Sequence, residues 1–149
     1  MATDIEAIID RFRADKGQLV SILQDIQDEY YYLPKDALEK VSQILDIPLS
    51  QVYSMATFFR AFSLTPRGRH LIKVCLGTAC HVRGAPRVLE KMERDLGIGR
   101  EGTTDDLKFT LETVNCVGCC ALGPMVLIDE EYFGQMKSDK VNSLLSTYE

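Results

Sequence analysis

Leu71-Ile72-Lys73-Val74-Cys75-Leu76-Gly77-Thr78-Ala79-Cys80 decides how the second half of this chain is read. A short run of strand character enters a loop bounded by two cysteines. The pattern returns further along, where the alternating run Phe109-Thr-Leu-Glu-Thr-Val114 leads into Asn115-Cys116-Val-Gly-Cys119-Cys120. If the two strands are neighbours in one sheet, both loops emerge at the same edge. Two cysteines from each loop then surround one cofactor. Each thiolate pair holds one iron, and two bridging sulfides complete the tetrahedra.

Spacing alone leaves the second loop open, since Cys116 pairs with Cys119 as C-x2-C or with Cys120 as C-x3-C. Adjacent residues of an extended segment point to opposite sides, which argues against Cys119 and Cys120 both facing one metal. Gly77, Gly84, Gly118 and Gly123 lie close by. Glycine lets backbone amides approach sulfur, and those donors stabilise an anionic cluster and raise its potential. Two rival chemistries use the same residue types. A structural zinc site takes cysteine pairs within small ribbons. Cys116-Val-Gly-Cys119 has the spacing of a redox dithiol, but that motif opens a helix and Gly123-Pro124 leaves little room for one. His70 and His81 are weaker candidates, because a histidine beside a complete four-thiolate set serves more often as a hydrogen-bond donor.

The charge pattern agrees with a sulfur-rich anionic centre. The 149 residues carry a net charge of −5, yet the stretch 67–91 holds Arg67, Arg69, Lys73, Arg83, Arg87 and Lys91 against Glu90 alone. Four thiolates and two sulfides outweigh the charge of two irons, so a basic stretch around such a site has a physical purpose. A local basic patch in an acidic chain points to one anionic neighbour and not to nucleic acid. Asp4, Glu6 and Asp10 stand where a signal peptide needs a basic start and an apolar core. Apolar runs such as Met125–Ile128 fall far short of the ~20 residues of a membrane helix. A cytoplasmic protein without membrane insertion is therefore expected. In that compartment five cysteines confined to 75–120 bind metal or do redox work in preference to forming disulfides.

Upstream of Leu71 the period is helical. Thr3-x-x-Glu6 is a capping box, followed by the stripe Ile5, Ile8, Ile9 and Phe12, with a break at Gly17. Leu19, Ile22, Leu23, Ile26 and Tyr30 form a second stripe, which Leu33-Pro34 ends. Leu38, Val41 and Leu45 mark a third helix over Asp36–Leu45. Ser50 is expected to cap a fourth, carrying Val52, Met55, Phe58, Phe59 and Phe62 as bundle core. Helices this short are marginal alone and need one another. Residues 1–66 are thus expected to form a helical bundle, joined through Thr65-Pro66-Arg67-Gly68-Arg69 to a second domain over 67–149. There a helix is expected over Ala85–Leu96, with Val88, Leu89, Met92 and Leu96 inward and Gly97 and Gly99 at its end. A polar loop, Arg100–Lys108, a strand, Met125–Ile128, and a turn near Asp129–Tyr132 follow. Ser138 is expected to cap a last helix burying Val141, Leu144 and Leu145.

With these residues in view, Cys75-Leu-Gly-Thr-Ala-Cys80-His-Val-Arg-Gly84 and Asn115-Cys116-Val-Gly-Cys-Cys120-Ala-Leu-Gly-Pro124 resemble the loops of the thioredoxin-like [2Fe–2S] ferredoxins. That family includes the small peripheral-arm iron–sulfur subunit of respiratory complex I and equivalent subunits of NAD-linked hydrogenases and formate dehydrogenases. Ala56-Thr57-Phe58-Phe59, Pro66-x-Gly68 and Gly102-Thr-Thr104 extend the resemblance over nearly the whole chain. It implies an α+β fold, an N-terminal helical bundle followed by a thioredoxin-like α/β domain. It implies Cys75, Cys80, Cys116 and Cys120 as ligands of a [2Fe–2S] cluster, with Cys119 a non-ligand where other members often have alanine. The function implied is one-electron transfer as a non-catalytic subunit of a flavin-containing NAD(H)-linked oxidoreductase. The partner would be a larger FMN- and NAD(H)-binding iron–sulfur subunit. No glycine-rich dinucleotide fingerprint occurs in this chain, so nucleotide binding is expected in the partner. The alternative is a free-standing ferredoxin-like shuttle or a metal-stabilised binding module.

Overall fold

Apolar residues recurring at helical spacing coil the described residues of the first part of the chain into four α-helices. The computed structural model describes residues 5–12 and 15–148, so Thr3 of the expected capping box lies outside the described residues. Helix α1 spans Ile5–Arg11, α2 Leu19–Tyr30, α3 Lys35–Leu45 and α4 Leu49–Phe58. Gly17 sits in a 3-10 turn between α1 and α2, where the Asp15 carboxylate accepts its amide at 2.9 Å. The buried faces are those of the stripes: Ile8 and Ile9 on α1, Leu19, Ile22, Leu23 and Ile26 on α2, and Ala37, Leu38, Val41 and Leu45 on α3. Each such side chain contributes roughly 1.5–3 kcal/mol of burial before ordering entropy is subtracted.

Helix α2 stops at Tyr31, which adopts the left-handed conformation at φ 64°, ahead of the Leu33-Pro34 boundary expected to end it. Gln27, almost fully buried, secures this exit. Its amide nitrogen donates to the Tyr31 carbonyl and its oxygen accepts the Ser63 amide, both at 2.8 Å. The Leu33 amide closes the arrangement on the Ser63 carbonyl at 2.7 Å.

Helix α4 departs from expectation. Pro48 occupies its cap and Ser50 lies inside the helix. Its buried positions are Val52 and Ala56, while Phe58 is 79% exposed and Phe59 37%. The helix ends at Phe58, so Phe59 and Phe62 leave the helical spacing, and only Phe62 turns into the core. The three rings stack edge-on in sequence, at centroid distances of 5.0 and 5.9 Å.

Contacts divide the chain into two compact units, Met1–Arg67 and Gly68–Glu149. The second holds β1 (His70–Cys75), α5 (Thr78–Val82), α6 (Ala85–Leu96), β2 (Gly102–Thr103), β3 (Phe109–Val114), β4 (Val126–Ile128), β5 (Glu131–Phe133) and α7 (Val141–Thr147). The strands form one mixed sheet in the order β2-β3-β1-β4-β5. β1 runs parallel to β3, from His70 opposite Phe109 to Cys75 opposite Val114, and antiparallel to β4. A parallel pair needs a crossover, which α6 supplies. Ile72, Val74, Leu111, Val126 and Ile128 meet Val88, Leu89 and Met92 of α6 and Val141, Leu144 and Leu145 of α7 in one core.

Four expected details change. The first cysteine loop contains a short helix, α5. The polar loop contributes the edge strand β2. The turn expected near Asp129–Tyr132 is present but narrower, Asp129–Glu130 in a tight hairpin that pairs Ile128 with Glu131 and opens β5, with Asp129 at φ 56°. Ser138 opens a 3-10 turn ahead of α7 without a side-chain cap. No helix among the described residues is long and apolar enough to cross a membrane.

Candidate metal centre

Strand parity places the first thiol. Ile72 and Val74 face the core under α6, so Cys75 turns away from it, into a small cluster with Cys80, Ala85, Met125 and Leu127. The Cys75 amide donates to the Met125 carbonyl at 3.0 Å and the Leu76 amide to the Val114 carbonyl at 2.8 Å, extending the ladder into the loop. Cys80 then rides on α5. From the parallel neighbour β3, the chain passes through Asn115 and Cys116, bends at Gly118 (φ 80°), and enters a 3-10 turn over Cys120–Leu122.

The two loops approach to the limit set by their backbones. A Cβ on Gly77 would overlap the Asn115 carbonyl oxygen, and one on Gly123 would sit 2.8 Å from the Cys80 sulfur. The Gly118 amide donates to the Cys116 sulfur at 3.3 Å. Cys116 and Cys120 sulfurs stand 3.9 Å apart. Two thiolates about 2.3 Å from one tetrahedral metal are separated by about 3.8 Å, so this pair has the bite of a single ion.

Electrostatics join the pairs. Burial pushes the Cys80 thiol up; the Met125 backbone hydrogen bond pulls it back, and Cys75 and Cys120 raise it further. Cys120 is raised first by its hydrogen bond with Cys116, then by the charge of Cys116 and of Cys75. The raised Cys80 and Cys120 thiols resist ionising unless cations compensate them. Cys75 and Cys80 are 1% and 2% exposed, whereas Cys116 and Cys120 are open to solvent. An open cleft of about 590 Å³ lies over the exposed pair, lined by Gly77, Thr78, Ala79, Val82, Arg83 and Asn115 besides the two cysteines.

Among the described residues, no three His, Cys, Asp or Glu side chains converge as ligands of a single ion. The Cys116 and Cys120 sulfurs make one such pair, the arrangement a binuclear cluster asks for where each iron takes two thiolates. Cys119 is half-buried, packs beside the cysteine cluster, and directs its thiol to the Val117 carbonyl at 3.9 Å. His81 is exposed on α5. His70 lies at the opposite end of β1 from Cys75, paired through Nδ1 with Asp129 at 2.8 Å, which removes it from the site. Sequence reasoning missed Arg83, whose guanidinium donates to the Cys120 and Ala121 carbonyls. The sequence offered it only as one cation of the stretch 67–91; its place one helical turn after Cys80 lies on a helix that had not been expected.

A mixed sheet with two cysteine pairs at the end of its central parallel strands defines an α+β iron–sulfur protein. The family model for thioredoxin-like [2Fe-2S] ferredoxins matches residues 5–149, and the chain belongs to that family. Its cofactor is the [2Fe–2S] cluster, and the paired donors fit it. The chain is 34% identical over 145 residues to the NADP-reducing hydrogenase subunit HndA of Solidesulfovibrio fructosivorans, covering 97% of this chain and 85% of that one. It is 33% identical over 148 residues to an NADH-quinone oxidoreductase subunit of Rhizobium meliloti, covering 99% and 88%. Its fold is similar to part of a crystallised NAD+-reducing [NiFe]-hydrogenase, with TM-score 0.76 and 19% identity. That match covers 88% of this chain but only 22% of the hydrogenase chain.

Proposed function

We propose that Cys75, Cys80, Cys116 and Cys120 hold the cluster and that the chain is a one-electron transfer subunit of a larger flavin-containing, NAD(H)-linked oxidoreductase. The carrying observation is the convergence of two sulfur pairs, one buried and one exposed, from neighbouring parallel strands. When bound, a [2Fe–2S] cluster takes up and gives back one electron. The chain's own residues set the conditions. Cys75 and Cys80 keep one side dry, and the Gly118 amide and the Met125 backbone hydrogen bond offset negative charge at sulfur. The exposed side at Cys116 and Cys120 is where an electron partner comes close.

The larger partner supplies FMN, the nucleotide site and further iron–sulfur centres, and the assembly works in the cytoplasm. Relatives named as subunits of an NADP-reducing hydrogenase and of NADH-quinone oxidoreductase support this reading. Residues 1–66 serve as the helical bundle and 67–149 as the cluster domain.

Anaerobic purification of the full chain tests the proposal. Equal amounts of iron and inorganic sulfide, with visible absorption that bleaches and a paramagnetic signal that appears on reduction, are expected. Colourless, iron-free protein overturns it. Co-purification with a flavoprotein supports the subunit role, and a chain that carries the cluster but captures no flavoprotein points to the free shuttle.

A further inference from the structure

Arg83 caps α5 three residues after Cys80, and positions three apart on a helix share a face. Cys80 turns toward the sulfur cluster, and the Arg83 side chain reaches across to the other cysteine loop. Its Nη1 donates to the Cys120 carbonyl at 2.8 Å and to the Ala121 carbonyl at 3.0 Å. The same Cys120 carbonyl accepts the Gly123 amide at 3.3 Å, so two donors fix the peptide plane that carries this thiol. Cys120 needs such support. It is exposed, it lies beyond the end of β3, and the path to it bends at Gly118.

We propose that Arg83 is a positioning residue for the cluster, stapling Cys120 to the helical turn that presents Cys80. The proposal rests on the reading that Cys75, Cys80, Cys116 and Cys120 are the ligands. One nitrogen holding two successive carbonyls ties the turn that presents Cys80 to Cys120, the contact itself spanning 37 residues of sequence from Arg83. Hydrogen bonds from an ionised donor are shorter and stronger than neutral ones. The same guanidinium brings positive charge beside an anionic centre and gives part of the basic stretch 67–91 a definite task. A lysine ammonium carries that charge on a different stem and is more strongly hydrated, so it replaces the staple only in part.

The test uses the full chain loaded anaerobically with iron and sulfide, reading iron release to a ferrous chelator and the visible circular dichroism of the cluster. Arg83→Gln is expected to release iron about tenfold faster, the scale of a lost charge-assisted hydrogen bond, with a shifted dichroism spectrum. Arg83→Lys falls between Gln and wild type. Arg87→Gln, which removes the same charge from an exposed position on α6, behaves as wild type. Wild-type release from both Arg83 variants overturns the proposal, as does equal acceleration by Arg87→Gln. Should Arg83→Gln fail to accumulate, Arg83→Lys decides alone: wild-type release and spectrum overturn the staple. Wild-type protein that takes up no cluster overturns the ligand reading itself and the staple with it, an outcome visible before any variant is compared.

Discussion

Cys75 lies opposite Val114 in the parallel pairing of β1 with β3, so the last residues of both strands reach one edge of the sheet together. Because side chains alternate along a strand, a slip of one residue would send Cys75 into the core under α6 and bring Val74 to the sulfur cluster. Register, and not loop composition, is what brings Cys80 and Cys120 within electrostatic reach.

The two adjacent cysteines of the second loop are expected to respond differently. Cys120 stands 3.9 Å from Cys116, whereas Cys119 packs inward and meets the Val117 carbonyl. Cys120→Ser should lose most bound iron and visible absorption, and Cys119→Ser should keep both. Iron analysis and absorption spectra of the two variants check this, and the reverse order would make C-x2-C the ligating pair.

Gly77 and Gly123 are expected to be intolerant of alanine for different reasons. At Gly77 the added carbon meets a backbone carbonyl, so the loops must separate, at about 1–3 kcal/mol of stability. At Gly123 it presses on the Cys80 sulfur at 2.8 Å, so cluster retention suffers more than folding. Thermal unfolding of the metal-free variants, set beside their iron content, separates the two effects.

Tyr148 gives the fold an alkaline dependence. Its hydroxyl donates to the Glu131 carboxylate at 2.6 Å, and that bond, burial and nearby carboxylates push its pKa from 10 up to about 12. The folded state therefore favours the protonated phenol. The contribution is fully present below pH 10 and is lost as pH rises through about 12. Tyr148→Phe should be less stable than wild type at pH 8, with the gap closing above pH 11. Melting temperatures across that range test it, and a gap independent of pH would show that the Glu131 bond is not its source.

Gln27 is expected to matter beyond its size. Gln27→Ala strands the Ser63 amide and frees the Tyr31 carbonyl, costing about 1–3 kcal/mol. Faster hydrogen exchange at Ser63 and Leu33, together with a lower denaturant midpoint, is the expected readout.

What the amino-acid string disclosed followed from periodicity. The stripes of α1 to α3, the inward face of α6 and the strand Phe109–Val114 were legible because many residues repeat one spacing. β2 and β5 were not, since strands of two and three residues exist through their partners and carry too few positions to show alternation. Phe59 misled for a related reason: a stripe shows which side of a helix is apolar, not where the helix stops. The cysteine loops were legible from type and spacing, and the choice between Cys119 and Cys120 came from family resemblance. The Arg83 contact was hidden because it joins residues far apart in sequence across a tertiary gap.

The outermost strands of the sheet bear on what the molecule avoids. β2 and β5 are only two and three residues long, and β5 begins with the exposed, charged Glu131. Such clipped margins offer an incoming peptide hardly any run of unpaired amides and carbonyls to zip onto. Contact with neighbouring molecules through side chains on faces and loops is thereby favoured over strand addition at either side.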